Sequence, residues 1–517
     1  MTDLLARLKA IIGFNPLSWA GHARRMARRV DEFDIPAFTR AGAPRFLVVV
    51  TPWLGSGIPW FSLAIGLMLA ARGASVTFVV DHQRFGPGAA RHAIVLAAIR
   101  HVMRRVARRV PVIDLRDVAP LAADEAARTL AQRLSKLNAI WALRGETSVP
   151  GRAAFEARAR RQLDAAAGPI AAVLRDAPYD ALFVPGGVYG LSGLWVAAAR
   201  AAGIRVATYD NASYGTWMIA VDGLACHLAD VPRAFAQISD RCDADRDEES
   251  RALGAADEQI DQRRRGVDAF QSQVKNADRV GDALAGGVLL ALNSSWDSAA
   301  LGPHVVFANN SEWIVETVRH LLATTQVPVI VRQHPAERLA FAYTSDDYRA
   351  LLATNFGDHH RLHFIAAEDP INSYELLGRV GTVVVHTSTI GIEAAIFGKP
   401  VVTASAAYFA DLGFVWRARD LASYHRLLAT AVARELVVTA PMQRAARLCF
   451  YVTQCCNWVV SPFNPEEFKG WSRVPLAKFA TEPATERMLA AMVRDVPVAL
   501  LNHEALMASS TASARAA

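Results

Sequence analysis

The chain is predicted to be α/β, with two doubly wound parallel sheets, on three observations. Runs such as Arg45–Thr51, Asp180–Pro185, Val327–Arg332 and Thr382–Val385 are mainly β-branched and aliphatic without polar alternation, as in strands covered on both faces. Most of these runs pass into a loop rich in glycine or polar residues, then a helical stretch, then another short apolar strand, the order of elements in a parallel sheet. That order occurs in both halves of the chain, on either side of a polar stretch from Asp240 to Asp282. With 517 residues and 52% hydrophobic content, the chain is long enough for two or three packed domains.

Residues 1–44 are read as an N-terminal helical segment. Leu4, Leu5, Leu8, Ile11 and Ile12 recur at helical spacing beside Arg7, Lys9, Arg24 and Arg25, which fits a helix docked on the protein or lying on a membrane surface. Residues 45–239 form the first domain. Its strand Arg45–Thr51 runs into a loop with Gly55 and Gly57 and a helix that stops before Gly73, and Ser75–Val80 closes the βαβ unit. A basic helix over Ala90–Val110 and a helical stretch Leu121–Ala177, broken near Gly145–Gly151, lead to Asp180–Pro185. That strand ends in Gly186 and Gly187, before a further helix and the strand Ile204–Tyr209.

Residues 240–285, poor in large apolar side chains, are read as a solvated helix or linker. Asp243 and Asp245 stand there at D-x-D spacing, but no strand precedes them, so an acidic turn is expected rather than a metal site. Residues 286–440 repeat the pattern of the first half. Gly287–Leu292 leads to the loop Asn293–Ser298, and a helix Ser311–Thr324 has Asn309, Asn310 and Ser311 as candidate caps. Val327–Arg332 follows, and later the strand, loop, helix and strand of Gly381–Val402. Residues 441–517 supply a helix, a strap across the domains carrying Trp458, Phe463, Phe468 and Trp471, and a frayed small-residue end.

Composition narrows the class. The 56 Lys and Arg against 49 Asp and Glu give a net charge of +7 and favour an anionic partner. Those basic residues are scattered over helices without a binding motif, so no nucleic acid is expected. Five cysteines without a C-x-x-C pair argue against a disulfide framework or zinc site and fit a reducing cytoplasm. Met1–Val30 interrupts its apolar residues with Arg and Lys, so no export signal is expected. Ile58–Ala71 falls short of a membrane span. The expected location is cytoplasmic, with peripheral contact with the inner face of the membrane as the variant the N-terminal helix allows.

Ligands of open parallel sheets bind beyond the carboxyl ends of the strands. Three such ends in the second half carry polar clusters: Asn293, Ser294 and Ser295; Arg332 and His334; and His386, Ser388 and Thr389, with Gly391 allowing close backbone approach. Brought together, they offer a fixed cation, hydroxyls and backbone N–H groups, a set suited to a phosphate or diphosphate. His334, held by Pro335, could donate to a phosphate or protonate a leaving oxygen. Glu393 is placed to accept from a ribose hydroxyl, which makes a nucleotide the natural ligand. Against this stand plainer readings: Ser388 and Thr389 as helix caps, His334 as a surface histidine, Glu393 as an exposed helical glutamate.

The segments RQHPAE, PINSYELL and HTSTIGIEAAIFGKPVV, the last followed by AAYFADLGF, resemble in that order the capsule polysaccharide synthesis family of bacterial glycosyltransferases, which includes Kdo transferases. The resemblance covers about residues 287–465. It implies a GT-B-like architecture, two Rossmann-type domains facing a cleft, with a nucleotide-activated sugar donor, CMP- or UDP-linked, in the C-terminal half. It implies an acceptor in the N-terminal half, no metal and no further cofactor. His334 and Pro335 match the family's H-P motif, and Ser388 and Thr389 its S-T motif, both on the donor nucleotide. The loops at Gly55–Gly57 and Gly186–Gly187 match the acceptor side only in general form.

The expected reaction is therefore sugar transfer to a glycan or lipid-linked acceptor in capsule or lipopolysaccharide synthesis. An inverting reaction needs a carboxylate from the N-terminal half to activate the acceptor hydroxyl. Asp81, Asp210 and Asp222 are candidates, and Asp210, directly after a strand, is chosen over its alternative role as a turn aspartate. The rival readings are a sugar-nucleotide epimerase of the same fold and a non-catalytic glycan-binding protein.

Overall fold

The computed structural model describes residues 16–36, 42–53, 57–84, 89–146, 149–175, 179–213, 216–268 and 281–516. Gly55 and the apolar positions Leu4–Ile12 lie outside the described residues. The chain divides into two units: Met1–Asn138, Ala154–Cys226 and Trp458–Asn502 make the first, and Ala139–Ala153, His227–Asn457 and His503–Ala517 the second.

Unit 1 holds a six-stranded sheet in the order β3-β2-β1-β4-β5-β6. Its strands are Arg45–Val50 (β1), Ser75–Val80 (β2), Val112–Asp114 (β3), Ala181–Pro185 (β4), Arg205–Ser213 (β5) and Thr216–Ala220 (β6). All pairs are parallel except β5 with β6. Helices Pro16–Arg29 (α1), Ile58–Ala71 (α2), Ala89–Val106 (α3), Glu125–Leu143 (α4), Arg152–Arg175 (α5) and Ser192–Ala201 (α6) precede or connect the strands. Phe46, Val48 and Val50 enter one apolar cluster and Leu47 and Val49 another, so β1 is covered on both faces, which is why its sequence does not alternate.

The β5–β6 hairpin is a departure from the sequence reading, which ended the strand at Tyr209. The polar residues Asp210 and Asn211 lie within β5, paired antiparallel with Met218 and Trp217, and the register shifts between Asn211 and Ser213. An edge hairpin with such a bulge tolerates polar residues that a central strand would not. Of the aromatics read as a strap, Phe463, Phe468 and Trp471 enter the core of unit 1: the Phe463 ring sits 4.8 Å from Phe61, and that of Phe468 6.2 Å from Trp60. Burial of side chains this size is worth roughly 1.5–3 kcal/mol each.

Unit 2 holds a second six-stranded sheet, β12-β11-β10-β7-β8-β9, with every pair parallel. Its strands are Val288–Ala291 (β7), Val329–Arg332 (β8), Leu362–Ile365 (β9), Thr382–Val385 (β10), Val401–Thr403 (β11) and Trp416–Arg417 (β12). The accompanying helices include Val231–Ala244 (α7), Arg246–Arg264 (α8), Asn310–Thr324 (α9), Tyr348–Phe356 (α10), Ser373–Arg379 (α11), Ile390–Ile396 (α12), Leu421–Val432 (α13) and Ala440–Tyr451 (α14). The predicted fold class is the one observed, α/β with two doubly wound sheets.

The described part of the stretch read as a solvated helix or linker is helical, as α7 and α8, but is packed into unit 2. Its acidic residues have partners on α14: Asp243 with Arg444 at 2.7 Å, Asp257 with Arg447 at 2.9 Å, and Glu249 with Arg444. Asp245 caps α8, accepting from the N–H groups of Asp247 and Glu248 at 2.9 and 3.1 Å. Neither aspartate of the D-x-D pair stands in a loop after a strand. Among the described residues, no helix is long and apolar enough to cross a membrane.

Candidate functional site

The registers of the second sheet set the carboxyl ends of its strands on one line. Ile365, Arg332, Ala291, Val385 and Thr403 are successive neighbours, so the loops leaving these strands emerge along one edge. Asn293 leaves β7, His334 leaves β8 and His386–Thr389 leave β10, so all three predicted clusters reach the edge where such sheets bind ligands. Two of the loops are tied together: Asn293 Oδ1 accepts from the Thr387 N–H at 3.0 Å.

Several predicted side chains are occupied by the protein itself. Ser295 Oγ donates to Asp346, and Ser294 lies against Glu337. Arg332, 3% exposed, donates to the carbonyl oxygens of Ala366 and, at 3.2 Å, Ile371. Burial lowers its pKa to about 10, still a cation at neutral pH. Glu393, assigned to a ribose from sequence, is 5% exposed and accepts from Arg263 of α8 at 3.1 Å. Arg263 is in turn held by Asp268 and Gln454, each at 2.9 Å. A buried carboxylate needs a counter-charge, and the helix read as a linker provides it. Glu393 is thereby a brace between α8 and α12. Gly391 packs α12 on the sheet, since a Cβ there would lie 3.0 Å from Val385 Cγ2.

Other groups are not so occupied. Thr389 stands at the N-cap of α12 without a side-chain bond to the helix, and neither Ser388 nor Thr389 uses its hydroxyl in a hydrogen bond among the described residues. Helix capping therefore does not account for this pair. Arg332 Nε, His386 Nδ1 and Thr387 Oγ1 are buried without a hydrogen-bond partner among the described residues. Such atoms are uncommon in folded proteins and require an explanation, a bound ligand being one. His386 itself is held by its ring partner His304 at 3.1 Å and by Thr403 Oγ1 on its carbonyl, also 3.1 Å. Burial first, then His304 and His227, keep its imidazole uncharged, well below the usual histidine pKa.

His334 is specified more closely. Its Nδ1 accepts from the Ala336 N–H at 3.2 Å, at the start of the tight turn Pro335–Arg338, which leaves the proton on Nε2. Burial, then the charge of Arg332, lowers its pKa to about 4. At neutral pH it is an uncharged hydrogen-bond donor, which favours contact with a phosphate over the expected alternative of protonating a leaving oxygen.

Three carboxylates were not singled out from sequence. Glu337, directly after His334-Pro335-Ala336, is buried, bonded by Gln333 Nε2 at 2.7 Å, and raised to about 7 by burial. Its position in RQHPAE was the available signal. Asp346 receives Ser295 Oγ and, at 2.9 Å, the Glu146 N–H. Glu146 accepts from the N–H groups of Asn310 and Ser311, both at 3.0 Å, and so fills the N-terminus of α9, while neighbouring Arg144 stacks over Trp296 at 3.9 Å. Burial raises the Glu146 carboxyl. Nothing local to residues 144–146 announces these partners far along the chain.

In unit 1, Asp210 Oδ1 accepts from the Asn211 N–H at 2.8 Å, the local bond its plainer reading anticipated. Asp81 is fully buried, bonded by Thr51 Oγ1 at 3.0 Å and Gln83 N–H at 3.2 Å, with its pKa raised to about 7 by burial. Asp222 is exposed in a bend after β6. The described acceptor-loop glycines have packing reasons. Gly186 and Gly187 adopt φ of 70° and 110°, and a Cβ on Gly187 would meet Leu224 at 2.4 Å. A Cβ on Gly57 would meet Pro465 O at 2.4 Å. Among the described residues, no group of three or more His, Cys, Asp or Glu side chains is placed to hold a metal ion.

Residues 303–447 match the family model described as capsule polysaccharide biosynthesis protein. No curated protein sequence matches the chain significantly. Similar solved structures include the β-Kdo 2,4-transferase of Thermosulfurimonas dismutans KpsC, at 13% identity and TM-score 0.32, covering 52% of this chain and 79% of that one. Its β-Kdo 2,7-transferase is similar at 17% identity and TM-score 0.30, covering 53% and 78%. A putative UDP-N-acetylglucosamine 2-epimerase of Listeria monocytogenes is similar at 11% identity and TM-score 0.26, covering 87% and 96%. The stretch 303–447, similar to that family model, holds His334, Pro335, Ser388 and Thr389.

Proposed function

We propose that this chain is a glycosyltransferase of bacterial surface polysaccharide synthesis, moving a sugar from a nucleotide-activated donor to a glycan or lipid-linked acceptor. The observation that carries the reading is the line of strand ends in unit 2, where Arg332 Nε, Thr387 Oγ1 and the hydroxyls of Ser388 and Thr389, all inside the family-matched stretch, have no hydrogen-bond partner among the described residues. Those groups, with the Nε2–H of His334, suit the phosphates of a departing nucleotide. Donors aimed at charge that develops as the glycosidic bond breaks stabilise the transition state without reorganisation. The cation is Arg332, so the proposal requires no metal. Asp210 of unit 1 is the proposed base for the acceptor hydroxyl.

Calorimetry with UDP, CMP, CDP and GDP tests the donor assignment. One of them should bind, and both His334→Ala and the pair Ser388→Ala, Thr389→Ala should weaken it while leaving the circular dichroism spectrum unchanged. Absence of binding by all four, or full transfer activity in His334→Ala, would overturn the assignment.

A further inference from the structure

A cavity of about 680 Å³ lies beyond the carboxyl ends of β2 and β3 in unit 1, within the size range of small-ligand sites. These two strands end in register, Val80 opposite Asp114. His82 and Arg84 reach the cavity from the loop after β2, Arg116 from β3, and Arg158, Arg161 and Gln162 from α5; no Asp or Glu among the described residues lines it. Leu115 and Leu191 add buried apolar surface.

The carboxylate beside the cavity, Asp114, is already engaged. It bonds His82 Nε2 at 2.6 Å, Arg100 at 2.8 Å and the Arg116 N–H at 3.1 Å. Arg84, Arg158 and Arg161 have no carboxylate partner among the described residues. Gln162 Oε1 accepts from the Arg84 N–H at 3.1 Å, which ties the loop after β2 to α5 and leaves the amide NH2 to donate. Arg116 Nε is paired with Asp114 at 3.4 Å, so Arg84, Arg158 and Arg161 are the guanidinium groups around this concave space without a carboxylate among the described residues, and a bound anion supplies their counter-charge. Arginine forks match the oxygens of a phosphate group in particular.

We propose that this cavity binds the phosphate group of a phosphorylated ligand, whether a soluble sugar phosphate or a lipid headgroup. The inference stands on unit 1 alone. Joined to the transferase reading, on which this last step rests, the occupant is the phosphate-bearing part of the acceptor.

The test uses the full chain, with calorimetry against pyrophosphate and glucose 1-phosphate as the soluble arm. The lipid arm is sedimentation with phosphatidylcholine vesicles with or without phosphatidylglycerol. The wild type should bind at least one arm, and the arm that binds names the source. Arg158→Gln with Arg161→Gln should weaken binding at least about tenfold, the scale of one lost charge-assisted hydrogen bond. Ala165→Trp, which fills the cavity with its charges intact, should do the same. The pair Arg104→Gln and Arg108→Gln, exposed on and just after α3, removes equal charge outside the cavity and should leave binding unchanged. No binding in either arm, or equal loss in the Arg104/Arg108 pair, would overturn the proposal. His334→Ala should leave this binding intact, and the Arg158/Arg161 pair should leave nucleotide binding intact, so the two readings fail separately.

Discussion

Glu337 gives the sharpest test of the unit 2 site, because its burial is coupled to pH. Burial raises the carboxyl from 4.5 to about 7, against the opposing bond from Gln333 and the nearby Ser294 hydroxyl. The folded state therefore holds the proton more tightly than the unfolded chain. Protonation favours folding, so this stabilisation is complete below the unfolded pKa and is lost as pH rises through the folded one. At 1.36 kcal/mol per unit, the full span is about 3 kcal/mol, of which roughly 2 kcal/mol falls between pH 5.5 and 8.5. Glu337→Gln keeps the shape and an acceptor for Gln333 but cannot ionise. Urea unfolding of wild type and variant at the two pH values, followed through the unit 2 transition, should show the variant gaining about 2 kcal/mol on the wild type at the higher pH. The difference between the two proteins is the quantity to read, since Asp81, also raised to about 7, titrates in both. A difference that stays constant with pH would refute the burial argument, as would a variant that loses ground at high pH.

Glu393→Ala should destabilise unit 2 by about 3–5 kcal/mol by leaving Arg263 without one of its buried partners, and Glu393→Gln, which keeps an acceptor for Arg263, should cost less; stability unchanged in Glu393→Ala would return Glu393 to a ligand role. Because His334 is uncharged above about pH 4, kcat/KM for transfer should show no limb near pH 6.5 that His334→Gln removes. Asp210→Asn should lower kcat by about 10²–10⁴-fold with KM little changed if it is the base, and equal activity in the variant would exclude it. Transfer should persist undiminished in EDTA, measured by product formation, since the proposed phosphate site relies on Arg332 and neutral donors; loss of activity restored by a divalent cation would contradict that.

What could be read from sequence was what is encoded within one element and its loop. Thr382–Val385 lacks polar alternation because both its faces are covered, and Asn309 before a helical run is a cap by its own chemistry, bonding the Glu312 N–H at 2.8 Å. Partner choice was not legible in this way. Arg263 and Glu393 lie 130 positions apart, and Glu146 and Asn310 164. A charge on a helix face looks alike whether its counter-ion is water or another helix. The acidic stretch looked solvated for that reason, and Trp471 looked like a strap because an aromatic near prolines does not announce which core it enters.

The packing of that stretch bears on the site itself. The loop His386–Thr389 stands between β10, whose register is fixed by both neighbours, and α12, a short helix. A helix of about two turns has little intrinsic stability and takes its position from what packs on it. Through Glu393, α12 is bound to Arg263, and α8 in turn is held to α14 by the Asp257–Arg447 and Glu249–Arg444 pairs. The residues that looked like a spacer therefore fix the orientation of the helix that carries the proposed phosphate loop. Substitutions along α8 should alter nucleotide affinity without touching the nucleotide.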